Sequence, residues 1–88
     1  MEEGKISKFL FKRKPFLVLK HLSVEDNIYA AQMAKKINCS YAYIIRLLKE
    51  MEKLGLIYIE KNRSTRIIKL TKKGRNICEK ISEIERLG

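Results

Sequence analysis

Several residue types that build active sites or disulfide scaffolds are scarce in this chain of 88 residues. It has one histidine, two cysteines, one proline, four glycines and no tryptophan. Cys39 and Cys78 lie far apart, without the spacing of metal ligands. We therefore expect two reduced, mostly buried thiols of a cytosolic protein, with a disulfide between subunits as the alternative.

The sequence also lacks the parts that catalysis and membrane insertion require. It contains no glycine-rich phosphate loop, no metal-ligand set and no paired carboxylates in a pocket-forming context. We expect no enzyme, no cofactor and no metal. No run of apolar residues approaches the roughly 20 that a membrane-spanning helix needs. The start, MEEGKISKF, has acids first and differs from a secretory signal.

Positive charge is abundant and unevenly placed. Twenty Lys and Arg residues stand against ten Asp and Glu residues, which gives a formal net charge of +10. Residues 5–20 hold six of the bases, residues 61–75 hold seven, and neither window contains an acid. Such segregation indicates a polyanionic partner, either nucleic acid or an acidic membrane surface. The length and the apolar fraction of 45% suit one compact domain.

Residues 29–54 predict two helices joined by a tight turn. The first helix has apolar residues at helical spacing, which are Ala30, Met33, Ala34 and Ile37. Asn38 tolerates the left-handed backbone that ends a helix, and Ser40 is a suitable N-cap for the next one. The second helix has an apolar stripe of its own, formed by Ile44, Leu47, Leu48, Met51 and Leu54. With Gly55 after it, this arrangement is a helix-turn-helix, whose second helix can enter a DNA major groove.

A hairpin and a last helix are predicted after Gly55. β-branched and aromatic residues indicate strands at 56–60 and 66–70, with a polar, basic tip at 61–65. Ile28 is a candidate for a third strand. Thr71 is a suitable N-cap for the last helix, whose apolar side is formed by Ile77, Ile81 and Ile84.

The front of the chain predicts one further helix. Pro15 suits the first turn of a helix that runs towards Ser23, and its apolar residues are Phe16, Leu17, Leu19 and Leu22. Before it, Ile6, Phe9 and Leu10 are compatible with a short helix or an edge strand, and the residues leave both open.

In this order, the elements resemble the winged helix-turn-helix of small bacterial and archaeal transcriptional regulators, the MarR-like kind in particular. The residues that carry the resemblance are Gln32-Met33-Ala34 with Ile37, Ser40, Ile44, the run Leu48-x-x-Met51-x-x-x-Gly55-Leu56-Ile57, and Leu70-Thr71-x-x-Gly74. The chain departs from the family at Gln32, usually Glu, and at Asn38, often Gly. It also departs at Tyr41, Tyr43 and Ile45, which are bulkier than the usual small polar residues.

The resemblance implies a mainly α fold with a small β-hairpin (α+β), with about four helices and a two- or three-stranded wing sheet. The expected single domain spans residues 1–88, with an arm at 1–12, the helix-turn-helix at 29–54, the wing at 56–70 and a C-terminal helix at 72–87. The implied function is sequence-specific binding of double-stranded DNA by a dimeric transcriptional regulator, in the cytoplasm and at the nucleoid.

Candidate DNA contacts follow from this reading. On the recognition helix, the residues left outside the buried stripe are Ser40, Tyr41, Ala42, Tyr43, Ile45, Arg46 and Lys49. Arg46 is the best candidate for a base contact, because its guanidinium can bind guanine bidentately. An exposed Ile45 would suit a thymine methyl or an interface, and Tyr43 would contact DNA or pack over Leu22. The wing candidates are Lys61, Asn62, Arg63, Ser64 and Arg66. The candidates for phosphate contacts are Lys12, Arg13, Lys14, Lys35 and Lys36.

A homodimer is expected, held by the last helix and the N-terminal segment. Its candidate interface residues are Ile6, Phe9, Leu10, Ile77, Ile81 and Ile84. The alternative is that the stripe of the last helix closes the monomer's own core over Phe16 and Leu19.

Two other function classes stay open. One is packaging of nucleic acid or RNA binding without sequence preference, and the other is a winged helix that docks onto a protein partner.

Overall fold

The computed structural model describes residues 13–25 and 27–87. Its helices and strands, in chain order, are α1 (Arg13–Val24), β1 (Ile28–Tyr29), α2 (Ala30–Lys36), α3 (Tyr41–Lys53), β2 (Ile57–Asn62), β3 (Thr65–Leu70) and α4 (Lys72–Leu87). The predicted fold class, four helices with a small antiparallel sheet, is confirmed within these ranges. The predicted N-terminal arm, which includes Ile6, Phe9, Leu10 and Lys12, lies outside the described residues.

The core takes apolar side chains from every element. The stripe predicted for α3 is confirmed, since Ile44, Leu47, Leu48 and Met51 are buried and Leu54 is half-buried. Their main partners are Val18, Leu19, Leu22, Ile28, Met33, Ile57 and Ile68. Each such side chain, once fully buried, stabilises the fold by about 1.5–3 kcal/mol. No helix within the described residues has the length and apolar character to cross a membrane.

The sheet has three antiparallel strands in the order β1-β3-β2. Ile28 pairs with Ile68, which confirms the third strand. The two wing strands are longer than predicted, because Lys61 pairs with Arg66 and Asn62 with Thr65, which leaves a turn of two residues. These polar residues hid the strand ends from a sequence pattern, since backbone pairing at a solvent-exposed tip does not require apolar side chains.

The motif Leu70-Thr71-x-x-Gly74 docks the start of α4 onto the end of α3. The Thr71 hydroxyl accepts from the Gly74 N–H at 3.0 Å, so the predicted N-cap is confirmed. The same hydroxyl donates to the Gly55 carbonyl, and the Thr71 N–H donates to the Leu56 carbonyl at 3.1 Å. Lys73 donates to the Leu54 carbonyl at 2.9 Å. These bonds satisfy backbone carbonyls of the turn that follows α3.

One part of the apolar stripe of α4 packs against the core, and the other part is exposed to solvent. Ile77 and Ile81 are half-buried against the core, and the buried Cys78 thiol lies 3.5 Å from the Leu19 carbonyl oxygen. The alternative prediction, that this stripe closes the monomer's own core, is therefore correct for this part of the helix. Further along, Ile84 is 68% exposed and Leu87 is 89% exposed. The available apolar surface of α4 is thus limited to its C-terminal end.

Candidate nucleic-acid interface

The turn between α2 and α3 sets the angle at which the recognition helix leaves the core. Asn38 has φ +56°, which confirms the predicted left-handed residue. The Ser40 hydroxyl accepts from the Tyr43 N–H at 3.1 Å, which confirms the predicted N-cap of α3. At the other end of α2, the Gln32 side-chain oxygen accepts from the Tyr29 N–H at 3.0 Å. A glutamate could make the same bond, so this departure from the family pattern preserves the start of α2.

The outward face of α3 presents a mixed polar and aromatic surface. Its exposed residues, with the N-cap, are Ser40, Tyr41, Ala42, Tyr43, Arg46, Lys49, Glu50, Glu52 and Lys53. The prediction that Ile45 is exposed was wrong, because Ile45 is half-buried and packs against the core. It lies at the border of the buried stripe, one turn before Leu48, where an aliphatic side chain reaches the neighbouring apolar surface. Tyr43 keeps 37% of its surface exposed.

The wing continues this surface. Lys61, Asn62, Arg63 and Ser64 are exposed at its tip. Arg66 is half-buried, and its Nη1 donates to the Tyr41 hydroxyl at 3.0 Å. The recognition helix and the wing are therefore joined by a side-chain hydrogen bond. Both residues were singled out in the sequence, but their pairing was not, because no sequence signal relates residues 25 positions apart.

The basic residues that we predicted to contact DNA phosphates differ in their surroundings. Arg13 and Lys35 are exposed, and Lys36 forms an ion pair with Glu25 at 3.5 Å. The Lys14 ammonium donates to the Ile37 carbonyl at 3.1 Å and to that of Asn38 at 3.5 Å. Lys14 thus caps the end of α2, a structural role that the sequence prediction missed because it treated the basic residues as one class. Lys12 lies outside the described residues.

Several cations of this surface form no ion pair with a described carboxylate. Three lysines form ion pairs with carboxylates, which are Lys20 with Glu85, Lys36 with Glu25 and Lys69 with Glu60. All three pairs are partly exposed and contribute little to stability. Within residues 13–25 and 27–87, no carboxylate forms an ion pair with Arg46, Lys49, Lys61, Arg63 or Arg66. The part of the chain that the structure describes contains no group of three or more Asp, Glu, His or Cys side chains that could hold a metal ion.

A family model and several solved structures match this architecture. The model of the MarR family matches residues 12–68, which include α1, the helix-turn-helix and most of the wing. The crystal structure of AF1382 from Archaeoglobus fulgidus is similar with a TM-score of 0.81 and 30% identity, over 91% of this chain and 92% of that one.

Two structures of protein–DNA complexes are also similar. The S. aureus MepR–DNA complex matches with a TM-score of 0.81 and 20% identity, over 96% of this chain and 72% of that chain. At this identity the likeness concerns the fold. Reduced AbfR bound to DNA matches with a TM-score of 0.77 and 26% identity, over 93% of this chain and 61% of that chain.

Proposed function

Since this chain belongs to the MarR family, we propose that it is a transcriptional regulator that binds a specific site on double-stranded DNA as a homodimer. The family consists of DNA-binding regulators rather than enzymes. AbfR, which is 26% identical, forms a complex with DNA. The proposed place of action is the nucleoid in the cytoplasm.

One observation supports the proposal above the others. The exposed face of α3 and the tip of the wing carry cations with no carboxylate partner among the described residues, and they belong to elements joined by the Tyr41–Arg66 bond. An exposed helix face with such cations, beside a basic wing tip, fits a major groove and the phosphates next to it. In this proposal, Arg46 reads a base, while Lys61 and Arg63 reach the adjacent minor groove or its backbone.

The first test is selection of bound fragments from a pool of random double-stranded DNA at near-physiological salt. Enrichment of an inverted repeat with half-sites about ten base pairs apart supports a dimeric, sequence-specific regulator. Binding without an enriched sequence would instead indicate packaging or general nucleic-acid binding, since phosphate contacts carry no direct sequence information. Absence of binding would favour a protein partner. Either of these two results contradicts the proposal.

A substitution of Arg46 tests the assignment of base reading. Arg46→Ala is expected to weaken binding to the selected site by about 1–3 kcal/mol and to relax preference at one base position. The matched control is Lys35→Ala, on the neighbouring helix, which removes one exposed charge and should weaken selected and random DNA alike. The measurement is titration of both DNAs by fluorescence anisotropy. Equal losses on both DNAs for Arg46→Ala would show that Arg46 does not read a base.

A further inference from the structure

The hydrogen bond between Tyr41 and Arg66 joins the recognition helix to the wing. In the proposed function, the helix enters the major groove and the wing reaches the adjacent minor groove. Tyr41 is the first residue of α3, and Arg66 lies in β3 opposite Lys61 of β2. The Arg66 Nη1 atom is 3.0 Å from the Tyr41 hydroxyl oxygen. The contact therefore lies where the start of the recognition helix meets the wing.

The register of the sheet explains why Arg66 faces the helix. Successive residues of a strand point to opposite faces, so Arg66 shares a face with Ile68, two positions further on. Ile68 is fully buried against the helices. The Arg66 side chain therefore extends towards α3 and is half-buried there, whereas Lys69, on the opposite face, pairs with Glu60 at 3.3 Å.

The chemistry of the partner leaves the charge of Arg66 available. A tyrosine hydroxyl is neutral, so it orients the guanidinium without neutralising it, as a carboxylate would. No carboxylate within the described residues forms an ion pair with Arg66. The bond uses one of five N–H donors of the guanidinium. Tyr41 itself is 45% exposed, so the pair lies at the surface, where an anion can reach it.

We propose that Tyr41 is a positioning residue that holds the Arg66 guanidinium for one DNA phosphate. This inference rests on the proposed function. The phosphate is the one that lies between the major-groove segment facing α3 and the minor groove facing the wing. A guanidinium that is oriented before binding loses less side-chain entropy when it binds a phosphate, and its planar fork can bind two phosphate oxygens at once. The pair also fixes the distance between helix and wing.

The test is a scan of the selected DNA site with single neutral methylphosphonates, which remove the charge of one phosphate at a time. In the wild type, one position between the two grooves should weaken binding by about tenfold, as expected for a charge-assisted hydrogen bond. Arg66→Gln should abolish that penalty and lower the salt slope by about one. Tyr41→Phe should weaken binding to unmodified DNA by about three- to tenfold and reduce the penalty at the same position.

The matched control is Tyr58→Phe, which removes an exposed hydroxyl from the opposite face of the wing sheet. It should bind like the wild type at every phosphate. Tyr41→Phe added to Arg66→Gln should cause no further loss, because the hydroxyl acts through the guanidinium. A wild-type penalty in Tyr41→Phe, or additive losses in the double variant, would overturn the inference. If the wild type selects no DNA site, the proposed function fails instead, and the two failures are distinguishable.

Discussion

At the scale of single residues, the wing tip contains an arginine in the left-handed backbone region. Among the described residues, Asn27, Asn38 and Arg63 are the non-glycine residues with positive φ, of +60°, +56° and +51°. Asparagine adopts this conformation more readily than other residues with a Cβ, because its short polar side chain bonds locally. Arg63 has no such advantage. Its presence in the turn fits a role for its charge, since strained residues persist where function requires them.

Replacing this arginine should separate stability from DNA binding. Arg63→Asn is expected to stabilise the protein by about 0.5 kcal/mol, because asparagine tolerates the left-handed backbone better. It should also lower the salt slope of DNA binding by about one, because a phosphate contact is lost. Urea denaturation and salt-dependent titration measure the two effects. Lys61→Asn is the control, since it removes a charge from the wing and relieves no positive φ. Equal stability changes in both variants would contradict the assignment of strain to Arg63.

The two cysteines differ in their surroundings. Cys78 is 6% exposed, whereas Cys39 is half-buried, and both thiols are free. Burial raises the pKa of the Cys78 thiol above its ordinary value of 9.0, and Glu79 adds to this rise while Arg75 opposes it. The folded protein therefore holds the Cys78 proton more tightly than the unfolded chain does. Protonated Cys78 therefore favours the folded state. This contribution to the free energy of unfolding is present below about pH 9 and is lost as the pH rises through the pKa of Cys78 in the folded protein.

Alkylation should reveal this difference. At pH 8, iodoacetamide should modify Cys39 before Cys78, because the thiolate is the reactive form and Cys78 is both protonated and covered. Mass spectrometry of proteolytic fragments over time measures the two rates. In concentrated urea the rates should converge, which serves as the control for intrinsic reactivity. Faster modification of Cys78 in the folded protein would contradict its burial.

At the scale of elements, the first turn of α4 lies close against the backbone of Leu56, the residue before β2. A Cβ atom added to Gly74 would lie 2.0 Å from the Leu56 carbonyl oxygen and 3.2 Å from Leu70 Cδ2. The carbonyl belongs to the backbone and accepts the Thr71 N–H bond, so it has little freedom to move. Because Gly74 has no Cβ atom, α4 can pack directly against the Leu56 backbone.

Gly74→Ala should therefore be among the most destabilising single changes in this chain. We expect it to lower the free energy of unfolding by more than about 3 kcal/mol, because α4 must move away from Leu56. Gly55→Ala is the comparison. Gly55 has φ +76°, but its added Cβ would be 3.8 Å from the nearest atom, in Lys73. Only backbone strain of about 1 kcal/mol applies there. Urea denaturation followed by circular dichroism gives both values, and the reverse order would contradict the docking account.

At the scale of the whole molecule, apolar side chains are exposed at the C-terminal end of α4, where it passes α1. Ile84 is 68% exposed and Leu87 is 89% exposed. The two helices pack together, and the Lys20–Glu85 ion pair of 3.0 Å lies beside this end. Burial of these side chains against a second copy would remove apolar surface from water, which favours association. They support the homodimer that we propose.

A charged residue at this end should dissociate the dimer. Ile84→Glu is expected to shift the species seen by size exclusion with light scattering towards the 10.4 kDa monomer, because it places a charge in an apolar interface. Ser82→Glu, an exposed position on the same helix, adds the same charge and should leave the dimer intact. A wild type that is monomeric at high micromolar concentration would contradict the proposed dimer.

The features that the sequence by itself determined are those that depend on near neighbours. The stripe of α3, the caps at Ser40 and Thr71 and the left-handed Asn38 each follow from residues within a turn or two, where periodicity and capping act. The burial of Ile45, the caps made by Lys14 and Lys73, the Tyr41–Arg66 bond and the close approach at Gly74 were decided only by the tertiary structure. Each involves partners from separate elements, and the distance between them depends on how the helices and the sheet pack around one core, which no local pattern specifies.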